Sequence, residues 1–364
     1  MKIPYTAFQN TNTPLRAKLI HAFEQVLDSG RYILGPEVSS FEREFAEYCG
    51  SPYATGISNG TCSMHLTFRA IGVGAGDEVI TAPNSFIASA STIALVGAKP
   101  VFVDVNKDLN IDPDQIERAI TPRTKAIVPV HLAGRPAKMR QINEIAKRHG
   151  LFVLEDAAQS VGAKLYGKRV GSWGDAASFS LHPLKNLHAF GDAGIMTAQD
   201  PELIQRLNVS KNHGLVNRDR CESWSFNCRL DEMQAALLRI QLPELQRWTE
   251  ERRDLAFRYN RLLKQFVEVP EEGPDEYHVY QTYVVLAELR DELQDYLRAN
   301  GVEALVHYPT PIHMQPAAAG LGHGPGDFPE TMRLSRRILS LPLYPGLTHE
   351  QQDYVVSLFK KFYG

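Results

Sequence analysis

The apolar residues of the N-terminal part of the chain recur at helical intervals. A first helix is predicted over residues 15–27, and its apolar face consists of Leu15, Leu19, Phe23 and Val26. A second helix is predicted after Gly35-Pro36, and its inward face consists of Phe41, Phe45 and Tyr48. The N-terminal part is therefore predicted to contain two amphipathic helices.

From Ala54 onward, short β-rich apolar runs alternate with helical stretches. The predicted strands are Glu78–Ala82, Pro100–Val105, Ala126–Val130, Leu151–Glu155, Ala177–Leu181 and Gly194–Ala198. Helical patterns lie between several of them, for example at Met64–Ile71 and Met139–Arg148. This alternation predicts an α/β fold with a mostly parallel sheet covered by helices on both faces. Ligands of such sheets bind at the carboxyl ends of the strands.

The second half of the chain has a different pattern. A long helical stretch covers about Leu230–Lys264, a strand-like run follows at Gln281–Ala287, and a helix is predicted near Asp291–Asn300. We therefore predict two domains. The large domain spans residues 1–245, including the N-terminal helices, and a smaller α+β domain spans residues 246–364.

Composition narrows the classes of function. The chain has 364 residues, of which 43% are hydrophobic and 22% charged, and its formal net charge is −3. These values are typical of a globular protein and give no electrostatic signature of binding to nucleic acid or to a membrane surface. The four cysteines lack CxxC or zinc-site spacing, so we predict reduced thiols and no metal site. Without a signal-peptide pattern or a long apolar run, we expect a cytoplasmic protein with no membrane span.

One amine and one carboxylate follow two of the predicted strands. Lys185 follows the strand at Ala177–Leu181, and Asp156 directly follows the strand at Leu151–Glu155. Because the carboxyl ends of parallel strands share one edge of a sheet, the two side chains can meet there. An enzyme that uses pyridoxal phosphate needs such a pair, an amine that forms a Schiff base and an acid that keeps the ring nitrogen protonated. A lone lysine after a strand is usually a solvated residue, so the neighbouring residues must support this hypothesis.

Other residues offer the remaining contacts that this chemistry needs. Ser58-Asn59-Gly60-Thr61 precedes a predicted helix, where free backbone N–H groups either bind an anion or form an ordinary N-cap. Ser180 has a hydroxyl that suits the same anion. Phe86 either stacks on a flat ring or packs in the core. His182 either touches substrate or cofactor or has a structural role in its loop.

Several motifs occur along the chain in a characteristic order. They include Gly35-Pro36-Glu37, Asn59-Gly60-Thr61, Gly76-Asp77-Glu78-Val79-Ile80, Glu155-Asp156-Ala157-Ala158-Gln159, Ser178-Phe179-Ser180 with Lys185, Gly191-Asp192-Ala193-Gly194 and Tyr308-Pro309-Thr310-Pro311-Ile312-His313. In this order the motifs resemble those of the DegT/DnrJ/EryC1/StrS aminotransferases, and the resemblance covers nearly the whole chain. It implies a fold-type I pyridoxal-phosphate-dependent transferase with a mostly parallel seven-stranded sheet flanked by helices.

The resemblance also implies roles for individual residues. Lys185 matches the Schiff-base lysine, and Asp156 matches the partner of the pyridinium nitrogen. The remaining cofactor contacts are Gly60, Thr61 and Ser180 at the phosphate, Phe86 and Gln159 at the ring, and Asn227 at the phosphate of the neighbouring subunit's cofactor. A contact of that last kind implies a homodimer with shared active sites. The positions that align with the substrate side are His182, Tyr308 and His313.

The reaction that the resemblance implies is a ping-pong transfer of an amino group from L-glutamate to a nucleotide-linked deoxy sugar. The acceptor is a keto carbon at C3 or C4, and a 3-keto-6-deoxy sugar on dTDP is favoured over a 4-keto sugar. One alternative is a pyridoxamine-phosphate-dependent sugar dehydratase of the same family, in which histidine replaces the lysine, so Lys185 argues against it. The other is a non-enzymatic regulatory member, which the net charge of −3 and the lack of a basic helix argue against.

Overall fold

The computed structural model describes residues 1–364. The α-helices are α1 (Gln9–Ser29), α2 (Pro36–Cys49), α3 (Gly60–Ala70), α4 (Ala88–Leu95), α5 (Pro113–Ala119), α6 (Met139–His149), α7 (Pro201–Ser210), α8 (Glu232–Gln241), α9 (Leu245–Leu263), α10 (Arg290–Ala299), α11 (Pro329–Ser335) and α12 (His349–Tyr363). Short 3₁₀ helices lie at Leu132–Gly134, Leu242–Glu244, Ile312–Met314 and Pro316–Leu321. The strands are β1 (Tyr53–Ile57), β2 (Glu78–Thr81), β3 (Lys99–Phe102), β4 (Thr124–Val128), β5 (Phe152–Asp156), β6 (Lys164–Leu165), β7 (Lys168–Arg169), β8 (Ala176–Ser180), β9 (Gly194–Ala198), β10 (Leu215–Asn217), β11 (Arg220–Cys221), β12 (Glu276–Tyr277), β13 (Tyr283–Leu286) and β14 (Ile338–Leu341).

The main sheet has seven strands in the order β1-β9-β8-β5-β4-β2-β3. Strands β3, β2, β4, β5 and β8 run parallel to one another, whereas β9 is antiparallel to both of its neighbours, β8 and β1. The predicted α/β fold with a mostly parallel seven-stranded sheet is therefore confirmed. This topology brings the carboxyl ends of β1, β2, β5 and β8 to the same edge.

Helices cover both faces of this sheet. Alternate residues of a strand point to opposite faces, so Ile195 and Met196 of β9 belong to different clusters of buried residues. On one face, α1, α2 and α8 pack on the sheet, and Phe45 meets Phe179 edge-on at 5.0 Å between ring centroids. On the other face, α3, α4 and α7 pack on the sheet with Phe68 fully buried. The site at the strand ends is thus held between two packed layers.

The six predicted strands of the sheet are all present, with ends shifted by at most three residues. Strand β1 was not predicted as a separate element. The prediction for α1 is wrong at Phe23, which is 46% exposed. The buried positions of this helix follow the spacing Leu15, Leu19, Ala22 and Val26 instead, so a small alanine takes the place in the core that the larger side chain was predicted to occupy.

The helical stretch predicted over about Leu230–Lys264 is present but is not one continuous helix. The structure has two helices here, α8 and α9, joined by the 3₁₀ turn at Leu242–Glu244. Pro243 lies in this turn, and proline removes a backbone donor and clashes with the preceding helical turn. Helix α9 therefore begins only at Leu245.

Helix α9 is followed by the elements of the predicted smaller domain. Strands β13 and β14 pair antiparallel, and the cluster of buried residues between Leu255 and Phe359 also includes Ile3 and Ala7 from the N-terminal segment. The division at residues 245 and 246 stays a prediction. None of the helices has both the length and the apolar character needed to cross a bilayer.

Candidate active site

A cavity of about 650 Å³ lies at the carboxyl edge of the main sheet. Its walls come from the start of α3, the loop after β2, the ends of β5 and β8, and the segment around Tyr308. The predicted site residues that line it are Gly60, Thr61, Phe86, Asp156, Gln159, Ser180, His182, Lys185 and Tyr308. The sheet topology thus brings most of the predicted residues into one cavity.

Lys185 lies in the turn that follows β8 and is half-buried. Its backbone N–H donates to the carbonyl of His182 at 2.8 Å, which fixes the turn. Burial lowers the pKa of the Lys185 amine from 10.5 to about 8, and the negative charge of Asp156 partly offsets this effect. Because the neutral amine is the nucleophilic and proton-accepting form, Lys185 is ready to react near that pH.

Asp156 is the last residue of β5 and is buried. Its backbone N–H donates to the carbonyl of Pro129 at 2.9 Å, and its carbonyl accepts from the N–H of His131 at 3.0 Å. Its carboxylate accepts two further bonds, from Ser89 Oγ to Oδ2 at 2.7 Å and from the N–H of Ala158 to Oδ1 at 3.2 Å. The chain therefore fixes both the backbone and the carboxylate of this residue.

The first turn of α3 presents unpaired backbone donors to the cavity. The side chain of Asn59 accepts from the N–H of Cys62 at 2.8 Å, which leaves the first N–H groups of the helix, those of Gly60 and Thr61, for another acceptor. A β-carbon on Gly60 would lie 3.1 Å from Cβ of Ser180. The helix start and the end of β8 therefore form a narrow cradle that suits an anion such as a phosphate.

An aromatic wall faces this cradle. Phe86 is 52% exposed in the chain and lines the cavity, so it is not a core residue, and its ring lies 5.7 Å from that of Tyr308. Gln159 accepts from the N–H of Ala133 at 2.7 Å and donates to the hydroxyl of Tyr308 at 3.2 Å. These bonds hold the amide of Gln159 beside the cavity. The exposed ring of Phe86 is available for stacking on a flat heteroaromatic group.

Two predicted residues do not line the cavity. His313 lies in a 3₁₀ helix that directs its imidazole into an apolar cluster, 4.8 Å from the ring of Phe328, where both ring nitrogens lack a hydrogen-bond partner. His313 thus does not line the cavity, and its predicted contact with substrate stays a prediction. Asn227 is exposed and pairs through its backbone with Asn212. Its predicted contact involves another subunit and stays a prediction.

Several cavity residues were not predicted as site residues, among them Tyr5, Gln281, Thr282 and His307. Burial, together with the charge of Lys185, lowers the pKa of His307 to about 4, so its ring is neutral and Nδ1 pairs with the Ser340 hydroxyl at 2.9 Å. Burial raises the pKa of Tyr5 to about 12. His307 could have been predicted from the sequence, because it directly precedes the predicted site residue Tyr308. Tyr5 could not have been predicted, because its segment shows no periodicity.

These residues fit pyridoxal 5′-phosphate. The unpaired N–H groups of Gly60 and Thr61 match a phosphate, and the cradle is narrow, since a β-carbon on Gly60 would lie 3.1 Å from Cβ of Ser180. Phe86 offers an exposed aromatic face to a heteroaromatic ring. Asp156 would hold the ring nitrogen, and the amine of Lys185 would hold the aldehyde carbon.

Comparison with known proteins agrees with this fit. The chain is 42% identical over 364 residues to the dTDP-3-amino-3,4,6-trideoxy-α-D-glucose transaminase of Streptomyces venezuelae, covering 99% of this chain and 96% of that protein. It is 44% identical over 368 residues to a pleiotropic regulatory protein of Geobacillus stearothermophilus, covering 100% and 99% of the two chains. The crystal structure of S. venezuelae DesV in complex with a ketimine intermediate matches with a TM-score of 0.96 and 42% identity, covering 99% of this chain and 98% of that one. Since residues 14–360 also match the DegT/DnrJ/EryC1/StrS aminotransferase family as a whole, the chain belongs to this family of pyridoxal-phosphate-dependent enzymes.

Proposed function

We propose that this aminotransferase moves an amino group from L-glutamate to a keto carbon, C3 or C4, of a nucleotide-linked deoxy sugar. One observation carries the proposal: the amine of Lys185, with its lowered pKa, shares a cavity with the carboxylate of Asp156 and an anion-binding turn. Transfer of an amino group needs a base that removes a proton from one carbon and returns it to another. Lys185 has the chemistry and the position for that task.

Each residue of the cavity has a separate part in this reaction. When bound, pyridoxal phosphate supplies an electron sink for the charge left on the reacting carbon. In the first half-reaction, the neutral amine of Lys185 takes the proton from the donor's α-carbon, and the charged amine then delivers a proton to the second reacting carbon. In the second half-reaction, Lys185 moves the proton in the opposite direction. Asp156 keeps a proton on the ring nitrogen. Phe86 and Gln159 orient the ring.

A nucleotide on the acceptor is supported by similarity and by energetics. The S. venezuelae relative is named for a dTDP-linked 3-amino sugar, which favours a dTDP-linked acceptor and amination at C3 for this chain. Binding energy from a remote nucleotide helps to position the ketone for reaction, so a substrate without it loses rate as well as affinity. Free keto sugars should therefore be poor acceptors.

We also propose a homodimer in which Asn227 binds the phosphate held in the partner's cradle. Asn227 is exposed in a single chain, and two aromatic residues near it are also exposed, Trp224 by 89% and Phe226 by 47%. Large exposed aromatic side chains that lie close together are characteristic of protein interfaces. A second copy of the chain would cover them and bring Asn227 to its cavity.

A regulatory function is the second candidate because the Geobacillus relative is named a pleiotropic regulatory protein. The presence of Lys185, with its lowered pKa, favours an aminotransferase over this hypothesis. It also argues against a sugar dehydratase, in which a histidine would replace Lys185. A purely regulatory protein has no need for a reactive amine in a cavity. The aminotransferase and regulatory hypotheses differ in whether L-glutamate changes the bound cofactor.

The test separates the donor step from the acceptor step. The protein with bound pyridoxal phosphate is mixed with L-glutamate, and the cofactor's visible absorbance should decay; a panel of dTDP-, UDP- and GDP-linked 3-keto and 4-keto sugars should then restore it. Lys185→Ala should abolish both steps, whereas Lys147→Ala, an exposed lysine in α6, should behave as wild type. If no nucleotide sugar restores the absorbance, the proposed class of acceptor is wrong. Equal kcat/KM for a free keto sugar would refute the need for the nucleotide.

A further inference from the structure

Two buried serine hydroxyls lie behind the carboxylate of Asp156. Ser89 is fully buried and Ser85 is 4% exposed. Ser89 Oγ lies 2.7 Å from Asp156 Oδ2, and Ser85 Oγ lies 2.9 Å from Ser89 Oγ. The three side chains therefore form a continuous hydrogen-bonded chain from the loop after β2 to the end of β5.

The direction of these bonds follows from what each group can donate. An ionised carboxylate only accepts, so the Ser89 hydroxyl must donate its single proton to Asp156. The Ser89 oxygen is then the acceptor for the Ser85 hydroxyl. With Ala158 N–H bound to Oδ1, the carboxylate has two donors within the chain, and its remaining lone-pair sites are free for a donor in the cavity.

Ser89 also connects Asp156 to the aromatic wall. Its backbone N–H donates to the carbonyl of Phe86 at 3.1 Å, in the first turn of α4. One residue thus makes contact with both the acid and the backbone of the exposed aromatic residue. Ser85, at the other end of the hydrogen-bonded chain, directly precedes Phe86 and lines the cavity.

We propose that Ser89, supported by Ser85, is a positioning residue that orients the Asp156 carboxylate toward the ring nitrogen. The proposal rests on the proposed function only in assigning Asp156 to that nitrogen. A carboxylate held by a hydroxyl on one oxygen and an amide on the other has little freedom to rotate. Without Ser89, the carboxylate would be less firmly oriented and the ring nitrogen less completely protonated.

The variants needed are Ser89→Ala, Ser89→Thr, Ser85→Ala and the control Ser91→Ala. Ser91 lies in the same helix, and its hydroxyl makes no bond to Asp156. Because a hydrogen bond to a charged group contributes a factor of about tenfold to a hundredfold, Ser89→Ala should lower kcat by about that factor. KM for the sugar should change little. Ser85→Ala should have a smaller effect, and Ser91→Ala none.

Three readouts distinguish positioning from general damage to the fold. In protein with ¹⁵N-labelled pyridoxal phosphate, Ser89→Ala should shift the ring-nitrogen signal toward the unprotonated form, and Ser89→Thr, which keeps the hydroxyl, should shift it less. A double-mutant cycle should show that Ser89→Ala costs little once Asp156→Asn is present. The variants should keep the wild-type circular dichroism spectrum.

The possible failures are separable. If Asp156→Asn itself retains kcat and a protonated ring nitrogen, the assigned role of Asp156 is wrong, and the proposed function loses that part. If Asp156→Asn is impaired but Ser89→Ala keeps the wild-type ¹⁵N signal and kcat, only the role of Ser89 is overturned. An equal loss from Ser89→Ala in the wild-type and Asp156→Asn backgrounds would also overturn it, because the serine would then act independently of the acid.

Discussion

A β-carbon added to Gly60 would lie 3.1 Å from Cβ of Ser180. Gly60 begins α3 and Ser180 ends β8, so two elements that are distant in the sequence meet at this point. The separation is shorter than an ordinary van der Waals contact between carbon atoms. The tight fit at Gly60 comes from the approach of the strand and not from an unusual backbone conformation. The narrow cradle that suits a phosphate depends on this contact.

We predict that Gly60→Ala weakens retention of pyridoxal phosphate by about tenfold. The added methyl group must push the first turn of α3 away from Ser180, and overpacking of this kind costs roughly 1–3 kcal/mol. The dissociation constant of the cofactor measures the effect by titration of the apoprotein. Gly320→Ala is the control, because a β-carbon there meets no atom within 4 Å. Wild-type cofactor affinity in Gly60→Ala would show that the cradle tolerates the displacement.

We predict that the reactivity of the Lys185 amine in the apoprotein rises with pH around a midpoint of about 8, its lowered pKa. Asp156 raises this pKa against the larger, opposite effect of burial, so Asp156→Asn should shift the midpoint to lower pH. Competitive acetylation with trace acetic anhydride, followed by mass spectrometry of the Lys185 peptide, measures the midpoint. Free Nα-acetyl-lysine amide in the same reaction is the reference. A midpoint that rises in Asp156→Asn would contradict the assigned sign.

The sheet could be predicted from the sequence because its strands are short apolar runs between helices. Where the predictions failed, local pattern and tertiary packing disagreed. Phe23 has the larger apolar side chain, but the face of α1 that packs on its neighbours contains Ala22 and leaves Phe23 46% exposed. Pro243 was visible in the sequence, yet a single proline within a long helical pattern does not reveal whether the helix bends or stops.

The site was predictable to the extent that it uses motifs next to strand ends. Lys185, Asp156 and Gly60 follow from such motifs and from the family resemblance. Tyr5 and Ser89 do not, for different reasons. Tyr5 reaches the cavity only because the N-terminal segment pairs with residues near Val302, and Ser89 resembles any small residue in the first turn of a helix.

A buried carboxylate caps α2, and its removal should destabilise the protein. Glu232 of α8 accepts from the N–H groups of Gly35, Glu37 and Val38 at 2.7, 2.9 and 3.0 Å. Glu232→Ala leaves these three donors without an acceptor, so the free energy of unfolding should fall by roughly 3–9 kcal/mol, at about 1–3 kcal/mol for each unsatisfied group. Urea denaturation measures the change.

Two variants calibrate the Glu232 result. Glu232→Gln keeps one acceptor oxygen and should lose less stability than Glu232→Ala. Glu24→Ala, at an exposed position of α1, should change the free energy of unfolding by less than about 0.5 kcal/mol, as is usual for surface substitutions. If Glu232→Ala were as stable as Glu24→Ala, solvent rather than Glu232 would provide the hydrogen-bond acceptors for the backbone N–H groups at the start of α2.

The last prediction concerns Asn227, which should act on the partner's site. In a heterodimer of Lys185→Ala and Asn227→Ala chains, one site carries both lesions and the other carries neither. Co-expression with two different affinity tags isolates this heterodimer, and its kcat per dimer should approach half that of wild type. Each homodimer should be less active, which requires that Asn227→Ala alone be clearly impaired. If purified heterodimers show no recovery, Asn227 acts within its own chain, and its exposed position must have another explanation.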